Sequence, residues 1–212
     1  MAPKKSSSSF GREMVMAGQT DLFHCVSSSQ KGADPTPANI APDIEYKHDF
    51  LEDHEALFHY LLHNLNWNTQ FKSRETAMFG VSYGYDGQHY RYAKLPDFLS
   101  PLADNIKATF GYLPNSALVN HYPNGDHYIS YHSDKNMEMN QHTGVAIVSL
   151  GSIREMAFRN IQYPHIKSYF ALQPGSAMYM DDVVQQVWQH GILKTQSAKA
   201  RISISFRSLV IR

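Results

Sequence analysis

The run His132-Ser133-Asp134, a histidine far downstream at His190, and Arg201 and Arg207 inside one short stretch are side chains able to hold a metal ion and an anion side by side. Two imidazoles and one carboxylate on one face of a metal leave three coordination positions open. Non-haem Fe(II) oxygenases use those positions for a keto acid and O2. The set therefore points to oxidative chemistry rather than to binding alone.

The spacings are those of extended chain. Residues two apart on a strand share a face, so His132 and Asp134 converge while Ser133 points away. From Arg201 to Arg207 the sequence alternates strictly. Arg201, Ser203, Ser205 and Arg207 take one face and Ile202, Ile204 and Phe206 the other. Arginines turned to an interior require an anion, because buried unpaired charge is costly. A dicarboxylate such as 2-oxoglutarate meets that need, since a guanidinium fork matches a carboxylate bidentately. Asn120 and Tyr122 repeat the same spacing upstream and add neutral donors. Twelve histidines and twelve aspartates in 212 residues make about two-thirds of one H-x-D by chance, so the tripeptide is weak by itself. The order of Asn-x-Tyr, H-x-D, a β-rich stretch, His and the two-arginine strand carries the specificity.

In that order, from about Phe71 to Arg207, the chain resembles the AlkB-type Fe(II)/2-oxoglutarate-dependent nucleic-acid demethylases. The segments that carry the resemblance are Asn120-His121-Tyr122, His132-Ser133-Asp134, Ser149-Leu150-Gly151, Arg154 to Arg159, Trp188-Gln189-His190 and the Arg201 to Arg207 run. It implies that His132, Asp134 and His190 bind Fe(II) and carry the catalysis. Asn120, Tyr122, Arg201, Ser203 and Arg207 are implied around 2-oxoglutarate, with O2 as the second cosubstrate. The expected reaction couples decarboxylation of 2-oxoglutarate to hydroxylation of an N-methyl group, with release of formaldehyde, on N1-methyladenine or N3-methylcytosine in DNA or RNA. A hydroxylase acting on a protein or small molecule through the same iron chemistry is the alternative. Two positions depart from the family pattern: Ser203 stands where Asn is common, and Asn136 where an acidic residue often reaches the base.

Substrate contacts are expected at Tyr90, Tyr92, Asn136 and Arg154. The stretch Tyr83 to Tyr92 is aromatic and glycine-rich, and the resemblance places Tyr90 and Tyr92 on a lid over the active-site mouth. Aromatic faces stack on an unstacked base for about 1 to 3 kcal/mol each. The competing reading is a plain hairpin whose tyrosines cover the core. Arg154 and Arg159 have three readings: a substrate phosphate, the edge of the cosubstrate pocket, or a surface ion pair. His132 is also implied to offer a ring face to the base, and Met78 and Phe79 lie where a duplex wedge would sit. Trp188 reads as packing, and His121, His127, His142 and His165 as structure.

These side chains need a scaffold that turns them inward. Short β-rich runs (117–122, 127–132, 145–150, 156–159, 168–172, 176–180 and 201–210) are divided by Gly, Pro, Asn and Asp. Eight or so strands of this kind suit an α+β, mainly β fold, a double-stranded β-helix or cupin-like jelly roll. Two helices are predicted to buttress it. One follows an Asp49 cap and carries Leu57, Phe58, Leu61, Leu62 and Leu65; the other runs from Ser100 and Pro101 to a stop at Gly111. Residues 1–40, rich in Ser, Gln, Gly and Pro, read as a disordered tail, and 41–212 as one dioxygenase domain with a lid at about 71–95 and a jelly-roll core at about 117–211.

Nineteen basic and nineteen acidic residues cancel, so no global field draws in a polyanion and any nucleic-acid contact must be local. The expected partner is a single strand of DNA or RNA, or a duplex entered by base flipping, bound by a monomer. The single cysteine, Cys25, excludes an intramolecular disulfide framework and a cysteine-based zinc site. No apolar stretch reaches the roughly 18–20 residues of a membrane span, and no secretory signal opens the chain. The expectation is an intracellular protein of cytoplasm and/or nucleus.

Overall fold

The alternating run at Arg201 becomes a central strand, and the larger sheet assembles around it. The computed structural model describes residues 41–81, 94–134 and 138–211. Within them lie β1 (Glu45–Lys47), α1 (His54–Asn64), β2 (Glu75–Gly80), α2 (Ser100–Phe110), β3 (Ser116–Tyr122), β4 (Ile129–His132) and β5 (Val145–Gly151). There follow β6 (Arg154–Asn160), β7 (Lys167–Leu172), β8 (Ala177–Met180), α3 (Asp182–Val187), β9 (Trp188–Ile192) and β10 (Arg201–Arg207). One sheet has the order β1-β8-β5-β10-β3-β2 and the other β4-β9-β6-β7. All their pairings are antiparallel. Two such sheets packed together are the mainly β jelly roll that the strand spacing predicts.

Both faces of β10 are covered. Ile202, Ile204 and Phe206 join Val119, Val148 and Leu150 on the outer face, where Leu61 of α1 and Leu102, Ala103 and Ile106 of α2 pack against them. On the inner face Tyr122, Ile147 and Met178 meet Met156, Phe158 and Ile192 of the smaller sheet. The helices thus press the larger sheet toward the site without entering it.

Helix α2 ends as its sequence predicts. Gly111 takes the left-handed conformation, φ 80°, and its N–H donates to the Lys107 carbonyl at 3.1 Å. Helix α1 begins later than predicted, at His54, with Asp53 rather than Asp49 in the capping position. The Leu51 N–H donates to the Gly175 carbonyl at 3.0 Å, which ties that stretch to the turn between β7 and β8 and keeps it out of the helix. Four elements have no counterpart in the predicted set: β1, β2, α3 and β9. Residues 75–80, inside the stretch read as a lid, form β2 because β3 supplies a partner. Glu75 faces His121 across that ladder, and the His121 Nδ1 to Glu75 Oε2 contact is 2.8 Å. The stretch 1–40, including Cys25, and Tyr90, Tyr92 and Asn136 lie outside the described residues. No helix among the described residues is long and apolar enough to cross a membrane.

Tyr112 joins two of the central strands. Its buried hydroxyl donates to the Phe206 carbonyl at 3.1 Å and accepts from the Ala146 N–H at 3.0 Å, and burial pushes the phenol well above its usual range. Tyr112→Phe leaves both backbone groups short of a partner. The expected loss is about 1–3 kcal/mol in urea denaturation, and an unchanged midpoint would contradict this role.

Candidate active site

Alternation on β10 delivers Arg201, Ser203, Ser205 and Arg207 to the space between the sheets. They line a narrow slot of about 40 Å³ with Asn120 and Tyr122 of β3, His132 of β4 and His190 of β9. Tyr122 stands opposite Arg201 and Asn120 opposite Ser203, so the i, i+2 pairs of two strands interlock. Seven of the eight residues read as metal or cosubstrate ligands line this slot, and the eighth, Asp134, is bonded to one of them, Arg207.

Histidines 132 and 190 are cross-strand partners with ring centroids 4.4 Å apart. The ladder shifts register between Ile129 and His132. Such an irregularity re-aims a side chain, and both residues line the slot although three apart. Strand β4 ends at His132, so Asp134 lies in the following loop and not on the shared strand that i, i+2 geometry assumes. Other bonds hold it there. Its N–H donates to Gln185 Oε1 at 2.9 Å, and its Oδ2 accepts from Arg207 Nε at 3.1 Å and Nη2 at 2.6 Å. Oδ1 remains on the side of His132, 3.9 Å from Nε2. Arg207, grouped with Arg201 by sequence as a cosubstrate ligand, is therefore drawn to Asp134. Part of the anion that two inward arginines demand is the chain's own carboxylate.

Electrostatics prepare these groups as ligands. Burial alone would raise the Asp134 carboxyl, but Arg207, His190 and His132 together hold it below the ordinary carboxylate range. Burial, reinforced by His132, pushes His190 down to about 3. Its imidazole is thus neutral, the form that binds metal. His132 Nδ1 lies 2.9 Å from the Ser130 carbonyl, which only accepts, so Nδ1 carries the proton and Nε2 the lone pair of the neutral ring. Among the described residues no group of three His, Cys, Asp or Glu side chains already stands at coordination geometry. The fit to Fe(II) rests instead on the chemistry and adjacency of these three donors.

At the other end of the slot, Arg201 is 1 % exposed. Its Nη2 donates to Ser149 Oγ at 3.0 Å, while Nε and Nη1 are buried without a hydrogen-bond partner. Burial pushes the guanidinium down to about 10, with Tyr122 opposing and Arg154 assisting, so it stays charged at neutral pH. A buried cation with two idle donors fits a carboxylate ligand. A larger groove of about 840 Å³ follows the edge of β2, lined by Tyr60, Phe71, Arg74, Met78 and Phe79 among others, and shares Leu118 with the slot. Its described lining has no His, Asp, Glu or Cys, whereas that of the slot has two histidines.

Arg154 is buried and donates to the carbonyls of Asn124 at 3.3 Å, His127 at 3.1 Å and Leu193. Its guanidinium lies 6.0 Å from the Tyr122 ring centroid. Three backbone carbonyls as acceptors overturn the surface ion pair, and Arg154 lines a groove with Tyr169 and Lys194 rather than the slot itself. Arg159 donates to Gln189 Oε1 at 2.6 Å and stacks over Tyr131 at 4.3 Å. Phe79 packs edge-on against Phe98, and Trp188 is core. Three contributors were not singled out from sequence: Gln185, Ser130 and Arg74. Only Gln185 leaves a sequence trace, since Asp181 caps α3 by accepting from the Val184 N–H at 2.8 Å and so marks the start of a helix.

Residues 46–207 match the family model described as the 2OG-Fe(II) oxygenase superfamily. An uncharacterized protein of Acanthamoeba polyphaga mimivirus is 30% identical over 141 residues, 64% of this chain and 73% of that one. The DNA oxidative demethylase ALKBH2 of Homo sapiens is 23% identical over 140 residues, 62% of this chain and 54% of its own length. The Bos taurus ALKBH2 matches at 23% over 139 residues, 62% of this chain and 50% of that protein. This chain thus spans about half of the ALKBH2 proteins. Among solved structures, OsALKBH1 superposes with a TM-score of 0.62 at 17% identity, covering 81% of this chain and 100% of that one. A Pseudomonas putida prolyl-4-hydroxylase superposes at 0.50 with 14% identity, covering 79% and 93%. The structural likenesses show the fold, and the family match shows the superfamily. The chain belongs to the 2OG-Fe(II) oxygenase superfamily, with AlkB-type proteins among its relatives, and is a dioxygenase that works with Fe(II), 2-oxoglutarate and O2.

Proposed function

We propose that this dioxygenase, with residues 41–212 as its catalytic domain, removes N-methyl groups from bases such as N1-methyladenine and N3-methylcytosine in DNA or RNA. The observation that carries the reading is the coincidence of this slot with a sequence likeness to two proteins named DNA oxidative demethylase. His132, Asp134 and His190 would hold Fe(II), which when bound supplies the activation of O2 and the oxidation of the methyl C–H bond. Arg201, with Asn120, Tyr122 and Ser203, would hold the distal carboxylate of 2-oxoglutarate. Arg207 keeps Asp134 ionised and oriented. His132 is partly exposed, and Tyr90, Tyr92 and Asn136 are the proposed base contacts. The overall change balances: N–CH3, 2-oxoglutarate and O2 become N–H, formaldehyde, succinate and CO2. The proposed working form is a monomer acting on a single strand or on a flipped base.

A second reading keeps the chemistry and changes the substrate to a protein side chain or small molecule. The fold match to a prolyl-4-hydroxylase and the balanced charge favour it. The deciding experiment loads the protein anaerobically with Fe(II) and 2-oxoglutarate, then admits O2 with oligonucleotides carrying N1-methyladenine, N3-methylcytosine or N6-methyladenine. Loss of the mass of one CH2 from an oligonucleotide, with stoichiometric succinate, is the expected result. Succinate without any change in mass would move the substrate to the second reading.

A further inference from the structure

Arg74 lies two residues before Thr76 on the edge strand, and Thr76 pairs with Asn120 of β3. Arg74 itself stands just before that strand, at the end of a turn from Phe71, and its Nε reaches Asn120 Oδ1 at 2.9 Å. The guanidinium is itself held, with its Cζ 5.3 Å over the Phe71 ring and Nη1 3.5 Å from Ser73 Oγ. Asn120 is 4 % exposed and lines the slot beside Arg201. We propose that Arg74 is a positioning residue for the cosubstrate: it fixes which end of the Asn120 amide faces the slot.

The physical reason is an asymmetry of donors. A side-chain amide presents an acceptor oxygen or a donor nitrogen according to a rotation of half a turn about its last bond, and both ends have similar shape. A guanidinium only donates. With Arg74 on one side, the oxygen is held there and the NH2 is left for the slot. A carboxylate only accepts, so that orientation is the one that binds it; the reversed amide would set oxygen against oxygen. Among the described residues Arg74 bonds one side chain of the slot, Asn120, and its proposed effect passes through that contact. The inference rests on the cosubstrate reading of the slot.

The test measures the dissociation constant of 2-oxoglutarate by anaerobic calorimetry with Mn(II) in place of Fe(II), beside KM, kcat and Tm. Arg74→Met is expected to raise the dissociation constant and the 2-oxoglutarate KM about tenfold, with kcat at saturation unchanged. Arg74→Lys, still donor-only, retains most of the affinity. Arg74→Gln presents either amide atom and behaves like Met. Asn120→Asp keeps the Arg74 contact as an ion pair but offers no N–H, so affinity falls while Tm holds. Equal affinity in all Arg74 variants, or equal losses in Lys and Met that follow a lowered Tm, overturns the proposal. Arg201→Met run in parallel separates the two levels. If it abolishes binding while Arg74→Met does not, only the positioning role fails; if neither changes binding, the cosubstrate reading fails.

Discussion

Asp134→Ala is expected to abolish 2-oxoglutarate turnover and, separately, to destabilise the metal-free protein by about 3 kcal/mol. The first effect is loss of a ligand. The second follows from burial: Asp134 is 2 % exposed and Arg207 is 4 % exposed, and two guanidinium N–H groups donate to one carboxylate oxygen. Removing the carboxylate deprives a buried cation of that acceptor, which costs more than the net value of the pair. His132→Ala should lose turnover equally while costing only about 1 kcal/mol of stability, because its bond to the Ser130 carbonyl is a single neutral one. Urea denaturation of both variants in chelator, beside succinate assays, separates ligand from scaffold. Since the folded carboxyl lies below its ordinary range, the stability it contributes is present above that range and lost as pH falls through the lowered value. The gap between wild type and Asp134→Ala should therefore narrow in acid. Equal stability of the two histidine and aspartate variants at neutral pH would sink the argument.

Arg201→Met should act in the opposite sense on the scaffold. The guanidinium is fully buried with two idle donors, so an apolar side chain of similar length is expected to leave the metal-free protein as stable or more stable. Cosubstrate binding should meanwhile weaken by about 2–5 kcal/mol, the cost of removing one partner from a buried charge pair. Calorimetric titration with 2-oxoglutarate reads the loss, and thermal unfolding without ligand reads the gain. A destabilised protein that still binds normally would make Arg201 structural and move the cosubstrate elsewhere.

The two arginines of one strand thus play different parts, which the alternation that revealed them does not tell apart. Period two is a local property, so the sorting of Arg201, Ser203, Ser205 and Arg207 from Ile202, Ile204 and Phe206 is visible in the chain. The stop of α2 at Gly111 is legible for a related reason, since a left-handed residue after an apolar helical repeat is local chemistry. By contrast, β2 has no clean alternation and exists because β3 offers it a ladder. Strand β9 is short and follows a helix too brief to predict, and Asp49 loses the cap of α1 to a bond between Leu51 and Gly175.

The sequence by itself determined which chemical groups are present and which face each shares with its near neighbours: an imidazole and carboxylate two apart, a later imidazole, and a strand with polar and apolar sides. These depend on backbone geometry over a few residues, and the ordered motifs that carry the family likeness are built from them. Only the tertiary structure decided that Asp134 leaves the strand for a loop held by Gln185, that Arg207 turns to Asp134, that Arg154 donates to the His127 carbonyl, and that Arg74 bonds Asn120. Each of those contacts joins residues 27 to 73 positions apart. Pairing across such distances is set by sheet register and competition for buried partners, and neither is written in the local pattern of the chain.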